Sequence, residues 1–144
     1  MPMRLWRLCR RPFADLSGEG ARLHGGRWNS PGRPVVYLAA EPSLAVLEVR
    51  VHLDLPLDLM PPDYVLLTVE VPDALAVERL EQAPDDARVA GDAWLDQGRT
   101  ALLSVPSVIV PEARNLLLNP RHADAGRVRV AAMRPFGFDP RLFA

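Results

Sequence analysis

Apolar and basic residues alternate in Arg4-Leu5-Trp6-Arg7-Leu8, the pattern of a strand with one buried face. Tyr64 to Val71 is the clearest strand, with Val65, Leu67, Val69 and Val71 on one side. Val35-Val36-Tyr37-Leu38 is β-branched and aromatic, and Val128 to Met133 reads as a closing strand. Ala101 to Ser104 and Ser107 to Val110 are apolar strand segments separated by Pro106. Helical spacing is rarer. Glu41-Pro42-Ser43 opens a helix, because proline suits a first turn whose N–H lacks a partner. Leu44, Leu47 and Val51 then recur along it. Asp92 to Gln97 is a second helix, ended by Gly98, and Ala74 to Leu80 is expected to form a short helical turn. Between these lie a polar connection from Phe13 to Gly20, a proline-rich loop from Asp54 to Asp63, an exposed acidic stretch from Glu81 to Arg88, and an aromatic tail from Phe136 to Phe143. Asn115-Leu116-Leu117-Leu118-Asn119-Pro120 leads into a loop, since the residue before proline avoids the helical region. With no repeat or linker, short strands and two or three helices imply an α+β fold: a single domain over residues 1–144, with mixed β-sheets and flanking helices.

The chain is organised around the stretch from Gly25 to Glu48. Ser30-Pro31-Gly32-Arg33 fits a type II turn, with proline at the second position and glycine supplying φ > 0 at the third. A two-residue turn there would pair Arg27 with Val36 and Gly26 with Tyr37. Arg27 and Tyr37 would then face opposite sides of the sheet, unless a bulge or wider loop shifts the parity. On the following helix, Glu48 lies about 40° from Leu44 at roughly 100° per residue. A carboxylate beside an apolar stripe needs a partner or a purpose.

Composition narrows the chemistry. Of 144 residues, 49% are hydrophobic and 24% charged, with a formal net charge of −1, so a broad basic nucleic-acid face is not expected. All 17 basic residues are arginine, which removes Schiff-base and P-loop lysines and favours bidentate contacts to phosphate or carboxylate. Cys9 is the only cysteine and the histidines (His24, His52, His122) are widely spaced, so no metal site is expected. There is no signal-peptide core and no apolar run of membrane-spanning length, hence a cytoplasmic protein is expected.

Candidate residues each carry two readings. Arg27 follows two glycines that permit close approach, and its fork suits a pyrophosphate or a surface acid. Tyr37 offers a ring for a planar heterocycle, or simply packs in the core. Glu48 is a functional carboxylate or half of an ion pair. Ser107 bonds its own backbone or a ligand, and Asn119, before Pro120, is a turn or a binding residue. There is no Gly-x-Ser-x-Gly elbow.

Taken in order, Gly25-Gly26-Arg27-Trp28-Asn29, Val36-Tyr37-Leu38-Ala39, Leu47-Glu48-Val49, Val105-Pro106-Ser107-Val108 and Leu117-Leu118-Asn119-Pro120 resemble the RES domain, the toxin family of bacterial RES/Xre-type toxin–antitoxin systems. The resemblance extends from Leu5-Trp6-Arg7 to the Phe136–Leu142 tail. It implies a fold like that of ADP-ribosyltransferases and an enzyme that consumes NAD+. Carried across, Arg27 holds the NAD+ phosphates, Tyr37 the nicotinamide side and Glu48 the nicotinamide ribose, with Ser107 fixing the same end. These make Glu48, Arg27 and Tyr37 the catalytic candidates; Asn119 and Arg7 join Ser107 as substrate-binding ones. Ser104 is the alternative serine, and the Val-Pro-Ser-Val match favours Ser107.

The implied activity is that of a toxin that cleaves the nicotinamide–ribose bond as an NAD+ glycohydrolase or phosphorylase. The arginines of the Arg4-Leu5-Trp6-Arg7 strand, or Arg27 itself, are then the donors for an inorganic phosphate co-substrate. The alternatives are a mono-ADP-ribosyltransferase acting on a host protein, or a catalytically idle nucleotide-binding module. No Gly-x-Gly-x-x-Gly follows a strand, so NAD+ is expected as consumed substrate, with no cofactor. The expected partners are NAD+, a cognate Xre-type antitoxin and a second copy in a homodimer, with neither direct nucleic-acid nor membrane binding.

Overall fold

The computed structural model describes residues 2–143. Strand β1 (Met3–Arg10) pairs antiparallel along its whole length with β3 (Tyr64–Val71), from Met3↔Val71 to Arg10↔Tyr64. Leu5, Leu67 and Val69 thereby share one buried face. β3 also pairs with β7 (Arg129–Pro135), with a bulge between Thr68 and Val69. The other half of the sheet is built from β2 (Val36–Ala39), β6 (Arg114–Leu118), β5 (Leu102–Pro106) and the short β4 (Val77–Arg79). The order is β4-β5-β6-β2-β1-β3-β7, and only β4 and β5 run parallel. A parallel pair needs a crossover, and α3 (Ala87–Gln97) supplies it.

The two halves meet at one residue pair, Trp6↔Ala39. Elsewhere β1 and β2 form no pairs, and a cavity is lined by residues of both strands. One core fills the face carrying Leu5, Val36, Leu38, Leu67, Val69, Leu102 and Leu118. On the opposite face, α2 (Pro42–Arg50) sets Leu44 and Ala45 against Leu8, Ala39, Tyr64 and Leu66. Beneath α3, Trp94 packs with Trp28, Val35, Leu103, Val105 and Leu117. Gly91 lets α3 lie directly on the chain: a Cβ there would fall 1.8 Å from the Trp28 carbonyl oxygen.

The α+β class and the β1, β2, β3, β7 and α2 assignments agree with the sequence patterns, within their ends. Several expectations are corrected. The Ser30–Arg33 turn forms, with Arg33 N–H donating to Ser30 O (3.3 Å) and Gly32 at φ +99°. It does not close a hairpin, however, because β2 pairs with β6 and β1. Residues 26–29 instead close on themselves through Gly26 N–H to Asn29 O (3.0 Å). Part of the expected helical turn at 74–80 is β4, which gains a ladder with β5. Ser107 to Val110 is no strand: the Ser107 hydroxyl accepts from the Ile109 and Val110 N–H groups, a local alternative to a ladder. Asn115 to Leu118 lies in β6, and the connection after Phe13 contains α1 (Glu19–His24).

Candidate functional site

A cavity of about 680 Å³ borders β1 and β2. Successive residues of β1 (Trp6, Arg7, Leu8, Cys9) and of β2 (Tyr37, Leu38, Ala39) line it. Side chains alternate faces along a strand, so residues of both faces border the cavity. Helix α2 contributes Glu48, the turn after it His52, and the loop after α1 Gly25 to Trp28.

That loop is held from three directions. The Tyr37 hydroxyl accepts from Trp28 N–H (3.0 Å) and donates to Asn29 Oδ1 (2.6 Å). Asn29, fully buried, donates from Nδ2 to the carbonyls of Ala21 (2.9 Å) and Arg33 (3.0 Å). From α3, Asp92 accepts from the Ser30 N–H (2.8 Å) and hydroxyl (2.6 Å), and Arg88 donates to Gly26 O (3.2 Å). A Cβ on Gly26 would lie 2.6 Å from the Tyr37 hydroxyl, which accounts for glycine there. Burial pushes the Tyr37 phenol up to about 12, so it is neutral and able to donate. The loop therefore presents Arg27 outward. Among the described residues the Arg27 guanidinium has no hydrogen-bond or ion-pair partner, and it lines the cavity. A fork of donors left open beside a cavity can take a phosphate.

Glu48 is half-buried. Its Oε1 accepts from the Ser107 hydroxyl (2.8 Å) and from Asn115 Nδ2 (2.7 Å). Among the described residues it is paired with neutral donors and with no cation, so no counter-charge competes with whatever occupies the cavity. Burial and a bonded carboxylate are consistent with each other here.

The structure brings Arg7, Arg27, Tyr37 and Glu48 to one cavity. Ser107, nearly fully buried, stands behind Glu48 and reaches the cavity only through it. Ser104 is elsewhere, accepting from Arg114 Nε (3.0 Å), so of the two serines only Ser107 touches Glu48. Arg7 donates from Nη1 to the Phe13 (2.8 Å) and Asp15 (2.9 Å) carbonyls and so also fastens the connection after β1. Asn119 is not brought to this site. It is buried, donates to Leu95 O (3.2 Å), accepts from Arg121 N–H (3.1 Å) and borders a separate groove at the end of α3. Sequence reasoning missed Asn115 and Asn29. Asn115 becomes visible only through the Ala39↔Asn115 register, which places it under α2. Asn29 ends the Gly25-Gly26-Arg27-Trp28-Asn29 motif, but nothing local marks it as the acceptor for Tyr37. Among the described residues no group of three or more His, Cys, Asp or Glu is arranged to hold a metal, and no helix is long and apolar enough to cross a membrane.

The fold and site define a class: a small α+β domain with a cavity lined by a donor-clamped carboxylate and an open arginine. The chain belongs to the RES domain family, whose model matches residues 4–139. It is 42% identical to the "Prs ADP-ribosylating toxin" of Sphingobium sp. (strain YBL2), over 89% of this chain and 86% of that protein. It is 40% identical to "Toxin Res" of Pseudomonas putida (strain KT2440), over 98% and 100% respectively. Its fold matches a chain in the crystal structure of the M. tuberculosis MbcT–MbcA toxin–antitoxin complex, with TM-score 0.73 at 23% identity, covering 99% of this chain and 87% of that one.

Proposed function

We propose that this protein is the toxin of a toxin–antitoxin pair and that it destroys NAD+ by breaking the nicotinamide–ribose bond. The observation that carries the reading is Glu48: a carboxylate held by Ser107 and Asn115 in a cavity also lined by Arg27, which has no partner among the described residues. Nicotinamide in NAD+ is a pyridinium and leaves without a proton. Positive charge develops on the ribose as it departs, and a fixed carboxylate opposes that charge where it forms. Arg27 supplies binding to the pyrophosphate, and the Tyr37 ring forms part of the wall on the nicotinamide side. The cavity volume is within the range of small-molecule sites. Neither lysine nor metal chemistry is needed for this step.

The acceptor is water or inorganic phosphate, taken as a small nucleophile that reaches the ribose after nicotinamide departs. Transfer to a protein is the second reading, favoured by the name of the Sphingobium relative. Product analysis distinguishes them. Purified protein incubated with NAD+ yields free ADP-ribose by hydrolysis, or ADP-ribose 1″-phosphate when phosphate is present. NAD+ that stays intact until extract is added, with label then appearing on one protein band, supports transfer.

A toxin that drains NAD+ in the cytoplasm must be restrained. The reading therefore includes a small helical Xre-type antitoxin covering the entrance near Arg27 and Glu48, in keeping with the solved toxin–antitoxin relative. Co-expression should recover that partner and should block NAD+ loss.

A further inference from the structure

The role of Glu48 depends on which of its oxygens is free, and the surrounding hydrogen bonds answer that. The Ser107 hydroxyl has two lone pairs, and Ile109 N–H (3.1 Å) and Val110 N–H (3.2 Å) occupy them. Its single proton must therefore point to Glu48 Oε1 (2.8 Å). Asn115 approaches the same oxygen at 2.7 Å. The reverse orientation of its amide would set a carbonyl oxygen against a carboxylate oxygen, so the amino group faces Glu48. Two donors thus converge on Oε1, and neither can accept a proton from it.

Both donors are rigidly mounted. Asn115 sits in β6 between Ala39 of β2 and Val105 of β5. Ser107 is fixed by its own N–H donating to Ala113 O (3.0 Å), which closes the loop after β5. Glu48 arrives from the opposite side on α2.

We propose that Asn115 is a positioning residue for the NAD+ reaction: together with Ser107 it holds Glu48 as a one-sided acceptor, with Oε1 anchored to the sheet and Oε2 left to face the substrate. This rests on the activity proposed above. Under it, Glu48 does not exchange protons through Oε1 and acts through the charge it presents. The donor from Asn115 is what keeps that oxygen from turning toward the ribose or picking up a proton.

The test is Asn115→Asp, which keeps the shape but replaces a donor with an acceptor, alongside Asn115→Ala. Both are compared with wild type for kcat and KM with NAD+, with thermal melts to verify folding. For Asn115→Asp, kcat at neutral pH should fall by a factor of ten or more while KM changes less than threefold. As the pH is lowered from about 8 to about 5, the introduced carboxyl gains a proton that it can donate to Oε1. The ratio of variant to wild-type turnover should therefore rise in acid. Arg7, Arg27, His24 and His52, which share the cavity, and Arg50 on α2 are common to both proteins and cancel in the ratio. Asn115→Ala should lose kcat without the acid recovery. Folded variants with wild-type kcat, or a ratio that does not change with pH, overturn the positioning role while leaving NAD+ cleavage standing. A wild type that leaves NAD+ untouched overturns the proposed activity and this role with it.

Discussion

Replacing Tyr37 with phenylalanine removes one oxygen atom and tests how the Arg27 loop is built. In the wild type that oxygen accepts from Trp28 N–H and donates to Asn29 Oδ1. Its loss leaves a buried backbone donor and a buried amide acceptor unpaired. Each orphaned group costs about 1–3 kcal/mol, and a water entering from the adjacent cavity would recover part of that, so about 3 kcal/mol is expected. For a domain of this size that corresponds to a fall in Tm of roughly 9 °C, read by circular dichroism. A second signature follows from the phenol. The unfolded chain ionises near pH 10, whereas burial delays ionisation in the native state to about 12. The folded pKa is raised, so this part of the stability is complete below about pH 10 and is lost as pH rises toward 12, at up to about 1.4 kcal/mol per unit. Tyr37→Phe should lose that share of the alkaline slope, while Tyr64, whose phenol is also raised by burial, retains its own. A variant that melts within about 2 °C of wild type, with an unchanged alkaline slope, would refute the claim that this hydroxyl anchors the loop.

Gly91→Ala should destabilise the fold. The added methyl meets the Trp28 carbonyl, and overpacking of about 3 kcal/mol outweighs the roughly 1 kcal/mol gained in helix propensity; urea unfolding measures the difference. Arg27→Ala should leave the melting temperature within error, because the side chain is exposed and has no partner among the described residues. In the NAD+ assay it should raise KM by roughly 10- to 100-fold, the worth of a charge-assisted phosphate contact, with a smaller effect on kcat.

Much of this architecture is legible along the chain, because strand periodicity is local. Val65, Leu67, Val69 and Val71 are buried on one face as their spacing predicts, although α2 also buries Tyr64 and Leu66 on the other, and the proline at the start of α2 sits where its missing N–H costs nothing. Failures occur where tertiary partners decide. Ser107 to Val110 is as apolar as a strand, but its serine captures two backbone N–H groups and turns the chain. Val77 to Arg79 becomes a strand only because β5 lies beside it. The same holds at the site. Arg27 and Tyr37 look incompatible under hairpin parity, yet the loop bearing Arg27 belongs to no strand and folds back over the Tyr37 hydroxyl. Asn119 and Asn115 occur in one short run. Nothing in that run tells that the first caps a turn and the second meets Glu48; the β2–β6 register makes the distinction.

The most direct measurement compares nicotinamide release from NAD+ by the wild-type protein and by Glu48→Gln. Glutamine retains an oxygen for Ser107 and Asn115, so the fold and the clamp persist while the charge is removed. The account predicts that wild type releases nicotinamide, and that the variant melts at a similar temperature but turns over at least about 100-fold more slowly. A folded Glu48→Gln protein with near wild-type turnover would contradict the account at its centre.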